Sequence, residues 1–139
     1  MEANTITVEA LIEADIQRVW ACWTGPEHIV SWNFASADWH CPKAENDLRT
    51  GGKFCATMAS KDGAMSFEFE GVYDEVVDGE IIAYTMPDGR KVKVAFTQKE
   101  GQTLVTETFD PENIHSPELQ KTGWQAILNQ FKTYVESLA

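Results

Sequence analysis

Between residues 62 and 101 the chain carries four acidic–glycine dipeptides, Asp62-Gly63, Asp78-Gly79, Asp88-Gly89 and Glu100-Gly101. Each separates runs in which apolar and polar residues alternate. Glycine reaches the positive φ that tight hairpin turns require, and a preceding acidic residue favours the same turns. Short turns can join only antiparallel strands, since parallel ones need long crossovers. The chain is thereby committed to an antiparallel meander, read as Lys53–Ser60, Ser66–Val77, Glu80–Met86, Arg90–Gln98 and Gln102–Phe109.

These strands carry an apolar face: Phe54, Ala56 and Met58, then Phe67, Phe69, Gly71 and Tyr73, then Ile82 and Tyr84, then Val92, Val94 and Phe96. Such a face has to be covered. The stripe Trp124, Ile127, Leu128, Phe131, Tyr134/Val135 and Leu138 is the one long enough, and its helical spacing predicts a long C-terminal helix. Ser116-Pro117 supplies its N-cap and first residue, and Glu118 suits its dipole. Upstream, the period-two run Thr5–Ile12 predicts a strand. Asp15 caps a helix bearing Ile16, Val19, Trp20 and Trp23, and Gly25-Pro26 ends it and opens a second short helix with Ile29, Val30 and Trp32. Phe34 to Asp47 is polar and irregular, and reads as a loop opening into a short strand before Leu48. The sum is an α+β fold: a curved antiparallel sheet wrapped around a long C-terminal helix, with two short helices after the first strand. A chain of 139 residues fits one domain, 1–139.

That order resembles the START / birch-pollen-allergen (SRPBCC) superfamily, the helix-grip fold, and within it the family named after the activator of the heat-shock-protein-90 ATPase. The pieces that carry the resemblance are Val19-Trp20-x-x-Trp23, the Pro26–Trp32 helix, and Leu48-Arg49-Thr50-Gly51-Gly52-Lys53-Phe54. To these add the Asp62-Gly63 turn, Phe69-x-Gly71-x-Tyr73-x-Glu75-Val76 and Gly123-Trp124-x-x-x-Leu128-x-x-Phe131. They are mainly structural. Gly51-Gly52 shapes a turn, Gly71 suits a kink or bulge where the sheet curves, and Gly123 lets the helix approach the sheet. The resemblance implies a cavity between the long helix and the sheet, with small hydrophobic ligands as occupants. It brings no shared catalytic signature.

Charge narrows the partners. Eleven Lys and Arg against 22 Asp and Glu give a net charge of −11. That field repels phosphate backbones and anionic membrane surfaces, so nucleic acid is not expected as a partner. No apolar run reaches the ~18 residues of a membrane helix, and Met1-Glu2-Ala3-Asn4 has neither a basic nor an apolar leader region. Cys22, Cys41 and Cys55 are odd in number and widely spaced, which fits neither a disulfide framework nor a zinc knuckle. The expectation is a cytoplasmic protein without cofactor or metal.

The candidate ligand-binding residues are Trp32, Phe34, Phe54, Met58, Phe67, Phe69, Tyr84, Val94, Phe96, Trp124, Leu128 and Phe131. They line a pocket if the sheet stays open, and simply fill the core if it does not. Trp32, Phe34 and Trp39 lie in the longest irregular stretch, Trp32–Pro42, and either form a lid or cap the core edge. Glu107 shares a strand face with Val105 and Phe109, so it points at the helix if they do, whereas Leu104 competes for that face. Turned inward, it is a candidate acid or ligand anchor with a raised pKa. His40-Cys41 lacks a visible base or electropositive setting, and His28 and His115 show no metal-ligand spacing. Arg49 reads as half of a structural ion pair with a neighbouring loop carboxylate. The function expected is binding of one apolar, aromatic or lipid-like molecule. The alternatives are a polyketide cyclase-like enzyme using Glu107, Tyr84 and Tyr73, and a module that meets a basic protein partner or a chaperone.

Overall fold

A computed structural model describes residues 5–34 and 36–138, so the N-terminal Met1–Asn4 segment lies outside the described residues. The elements run β1 (Ile6–Ile12), α1 (Ile16–Thr24), α2 (Pro26–Ile29), β2 (Trp39–Asn46), β3 (Lys53–Ser60), β4 (Ser66–Val77), β5 (Ile81–Thr85), β6 (Lys91–Lys99), β7 (Gln102–Phe109) and α3 (Pro117–Ser137). The strands form one antiparallel sheet in the order β1-β7-β6-β5-β4-β3-β2. It curls around α3 as the helix-grip reading requires. The four turn glycines take φ of 78° (Gly63), 72° (Gly79), 93° (Gly89) and 70° (Gly101), the region an L side chain resists. Both helix caps are made: Asp15 Oδ1 accepts from Arg18 N at 2.9 Å and Ser116 Oγ from Leu119 N at 3.1 Å.

Three sequence expectations need correction. Residues 39–46 form a full strand of eight residues rather than a loop with a short strand at its end. β2 is an edge strand, so neither of its faces needs to be continuously apolar. Its ladder shifts register between His40 and Lys43, around Pro42, which has no N–H to donate. Gly71 is not at a bulge: it pairs regularly with Phe54, and the bulge of β4 lies between Tyr73 and Glu75. What excludes a side chain at Gly71 is crowding, since a Cβ there would stand 2.8 Å from Phe54 Cε2 and 3.0 Å from Tyr84 Cδ1. Gly123 is not a close-approach point either, for a Cβ there would meet nothing within 4 Å.

The core lies under β1, β6 and β7, where Val8, Ile12, Val94, Val105 and Phe109 meet Val19 of α1 and Leu128, Phe131 and Val135 of α3, all essentially inaccessible. α3 lies close against β1 and touches α1; β3, β4 and β5 curl round at a greater distance. Lys132 Nζ donates to Leu11 O at 2.7 Å and Gln125 Nε2 to Glu9 O at 3.0 Å, which tie the helix to that strand. Seated to one side, the helix covers only half of the apolar face. Among the described residues no helix is long and apolar enough to cross a membrane.

Candidate functional site

The uncovered half of the sheet encloses a cavity of about 360 Å³. The period-two pattern of β3, β4 and β5 supplies its wall. Phe54 and Met58 come from β3, Phe67, Phe69 and Tyr73 from β4, and Ile82 and Tyr84 from β5. Trp124 and Ile127 of α3 face them, and Trp23, Ile29 and Trp32 close the end beneath α1 and α2. The rings hold one another edge to face: Phe54–Tyr84 at 4.6 Å and 79°, Phe69–Trp124 at 5.9 Å and 81°. Trp124 is also stacked on Phe109 at 3.8 Å and 10°, which fixes its plane.

Of the candidate binding residues, Trp32, Phe54, Met58, Phe67, Phe69, Tyr84 and Trp124 border this space. Phe34, Val94, Phe96, Leu128 and Phe131 are not among its lining. Phe96 packs against Trp20 at 5.1 Å and Phe131 against Trp32 at 4.7 Å, so both are spent in the solid core, as are Val94 and Leu128. Phe67, read from the alternation as inward, is 53% exposed and stands at the rim beside Trp39 at 5.8 Å. Phe67 is the second residue of β4, at the open edge of the cavity wall. Within the Trp32–Pro42 stretch, Trp32 is core: it is buried and its Nε1 donates to Cys22 O at 2.9 Å.

Other lining residues escaped the sequence reading. Trp23 lies on the α1 stripe, and that signal was available. Met86 and Arg90 continue the alternation of Ile82 and Tyr84 and of Val92 and Val94, so their facing was legible, whereas Asn33 sits in a connection where no periodicity marks a direction.

The polar groups define the cavity's chemistry. Asn33, Tyr84 and Glu107 are each more than nine-tenths buried, and none makes a side-chain hydrogen bond among the described residues. No polar side-chain atom there is both sealed off and unpartnered, so these three tips open onto the cavity they line. Glu107 faces inward because β7 pairs with β1 and β6 in a register that sets it level with Val8 and Val94, both buried. Leu104 takes the outer face, level with the exposed Leu11. Burial alone pushes the Glu107 carboxyl from 4.5 up to about 8, and no cation among the described residues offsets it. Tyr84 is held well above its ordinary value, first by burial and then by the charge of Glu107.

The remaining polar lining is already engaged. Tyr73 Oη donates to Asn46 Oδ1 at 2.5 Å, and burial raises its pKa as well. Gln120 Nε2 donates to Glu112 O and His115 O, and its Oε1 accepts from Glu112 N. Arg90 Nε binds Asp88 Oδ2 at 2.7 Å. Away from the cavity, Arg49 pairs with Asp47 at 3.0 Å in the open, a contact worth little. Cys55, Glu68 and Glu70 bring their ligand-type atoms within 4.8 Å of one another. Burial and then the Glu68 charge raise the Cys55 thiol, the opposite of an activated thiolate.

The same architecture recurs in known proteins. The family model described as Activator of Hsp90 ATPase homolog 1-like protein matches residues 13–136. The solution structure of an AHSA1-like protein from Aeromonas hydrophila is similar, with 45% identity, a TM-score of 0.92, and coverage of 97% of this chain and 94% of that one. A solution structure from Cytophaga hutchinsonii shows 52% identity and a TM-score of 0.83, covering 96% of this chain and 93% of its own. A crystal structure from Chromobacterium violaceum shows 25% identity and a TM-score of 0.84, covering 96% and 98%. Comparison with curated protein sequences finds no significant match. A family model spanning 13–136 of 139 residues leaves little of the chain unaccounted for, and this protein belongs to the Activator of Hsp90 ATPase homolog 1-like family.

Proposed function

We propose that the protein binds one small hydrophobic ligand in the cavity between α3 and the β3–β5 half of the sheet. The observation that carries this reading is the cavity itself: about 360 Å³ with mainly aromatic and aliphatic walls and a few polar tips. That is the make-up of a small-molecule site, in which buried apolar area supplies affinity and convergent polar groups set orientation. The test is a backbone-amide NMR titration against apolar aromatics, sterols and fatty acids. Saturable shifts clustered on Phe54, Phe69, Tyr84 and Trp124 are expected. A panel without one saturable binder removes this reading and moves the search to protein partners.

Glu107 supports a second reading, a cyclase-like enzyme. A carboxyl that keeps its proton to about pH 8 in an apolar setting can act as a general acid on a carbonyl-bearing substrate, with Tyr84 as a second donor. Turnover abolished by Glu107→Gln, with binding retained, would favour it. Binding without turnover leaves the first reading in place.

A further inference from the structure

We propose that the cavity ligand is an organic cation: a hydrophobic amine whose ammonium group docks on Glu107 between aromatic faces. The inference rests on the cavity-binding reading and adds to it the chemistry of the ligand's polar end.

Three observations converge. First, Glu107 is a carboxyl group 6% exposed, opening onto the cavity, with no hydrogen-bond or ion-pair partner among the described residues. A buried acid is ordinarily paired, because removal of a carboxylate from water is costly. Here the buried acid faces the cavity rather than a basic side chain among the described residues. Second, the walls around that space are ring faces and edges, Trp23, Phe54, Phe69, Tyr84 and Trp124 among them. Aromatic faces carry negative potential and favour a desolvated cation. Third, the local charge is acidic. Glu45, Glu107 and Glu112 border the cavity, and among the described residues the cationic lining residue, Arg90, is held by Asp88. Arg90 acts on Tyr84, but Glu107 feels no such influence. The whole chain, at net −11, steers cations inward rather than anions.

The other titratable groups lining the cavity leave the Glu107 titration as the one that gates binding near neutral pH. Cys55 of β3 is kept protonated by burial. From β4 and β5, Tyr73 and Tyr84 are kept protonated by burial. From the β5–β6 turn comes Arg90, tied to Asp88. From β2 comes Glu45, paired with Lys43 at 3.2 Å. From the β7–α3 connection comes Glu112, whose carboxyl is lowered by the His115 N–H. Glu107 holds its proton in the free protein at pH 7 and must release it to meet an ammonium group. Amine affinity should therefore rise about tenfold per pH unit up to about pH 8 and then level off.

The experiment titrates the full chain with three probes of one shape, phenylpropylamine, phenylpropanol and phenylpropionate, followed by backbone-amide NMR at pH 7 and repeated at pH 6 and 8. The amine should bind about tenfold or more tighter than the alcohol, and the carboxylate weakest. Glu107→Gln should bring the amine down to the level of the alcohol and abolish the pH dependence. An alcohol that binds as tightly as the amine, or an amine unaffected by the substitution, overturns the cation proposal while the cavity reading stands. If none of the three probes gives saturable shifts, the cavity reading fails and this one falls with it. The comparison of probes on the unsubstituted chain decides the matter even if the variant does not fold.

Discussion

Two clusters of aromatic rings lie under one curved sheet, and they have opposite fates. In the first, Trp20, Trp23, Trp32, Phe96 and Phe131 close on one another with centroids 4.7–5.8 Å apart as solid core, with Trp23 and Trp32 bordering the cavity only at its closed end. In the second, Phe54, Phe69, Tyr73, Tyr84 and Trp124 also touch edge to edge, yet they surround a space of about 360 Å³. Both are built from large aromatic side chains, the second with two tyrosines among them. What differs is their support. Rings of the first cluster come largely from α1 and α3, which are in direct contact, together with the helical turn at Trp32. Most rings of the second come from β3, β4 and β5, while α3 is held against β1 and meets them through the side chain of Trp124 rather than by close packing along its length. Ring content therefore does not distinguish a core from a binding site; the lateral position of one helix does.

If that contrast is sound, deletion of a ring should cost very different amounts on the two sides. Phe131→Ala empties a fully buried position and should destabilise the fold by about 4 kcal/mol in urea unfolding. An equal loss from Phe69→Ala, on the cavity side, would break the comparison.

The next largest effect concerns Glu107, whose folded pKa of about 8 lies above its ordinary 4.5. Below pH 4.5 both the folded and unfolded states hold the proton. Between 4.5 and 8 the unfolded state gives it up and the folded state does not, so stability falls as pH rises through that window. Glu107→Gln removes this slope. Against the parent chain, the variant should be equal near pH 4 and more stable by up to about 4 kcal/mol at pH 8. Parallel unfolding curves across the whole range would mean that the carboxyl is solvated, and that the cavity is wetter than its walls imply.

Much of this was legible in the sequence, and the parts that were not share a cause. Turn dipeptides, the Asp15 and Ser116 caps and the α3 stripe are local signals, and local signals place the meander and the helices. β2 escaped because an edge strand broken by Pro42 carries no alternation. At the site, the inward faces of β3 to β5 follow from period two. Yet Val94 and Phe96 of β6 show the same pattern as Tyr84 of β5, and they are core rather than wall. Their fate depends on where α3 lies across the sheet, which no single strand records. Glu107 was ambiguous for a similar reason: Val105 and Leu104 are equally apolar, and only the pairing of Leu104 with Leu11 on the outer face resolves them.

Phe69→Ala is the smaller of the two ring deletions. Phe69 is partly buried and already borders open space, so its loss removes contacts with Tyr84 and Trp124 without creating a new enclosed hole. A cost of about 1–2 kcal/mol is expected. The same variant should lose affinity for any ligand that occupies the cavity.

The smallest effect has the opposite sign and tests the position of the helix directly. Gly123 lies within α3, one residue before Trp124, on the part of the helix that reaches over the cavity half. A glycine inside a helix weakens it, because the unfolded chain has more freedom to lose. Natural chains tolerate that weakness where a side chain would collide, and here a Cβ meets nothing within 4 Å. Gly123→Ala should therefore stabilise the protein by about 0.5–1 kcal/mol. If the helix were pressed onto the sheet at this end, as it is near β1, the methyl group would collide and the change would destabilise. The sign of this one measurement reports whether α3 stands off from the sheet where the cavity requires it to.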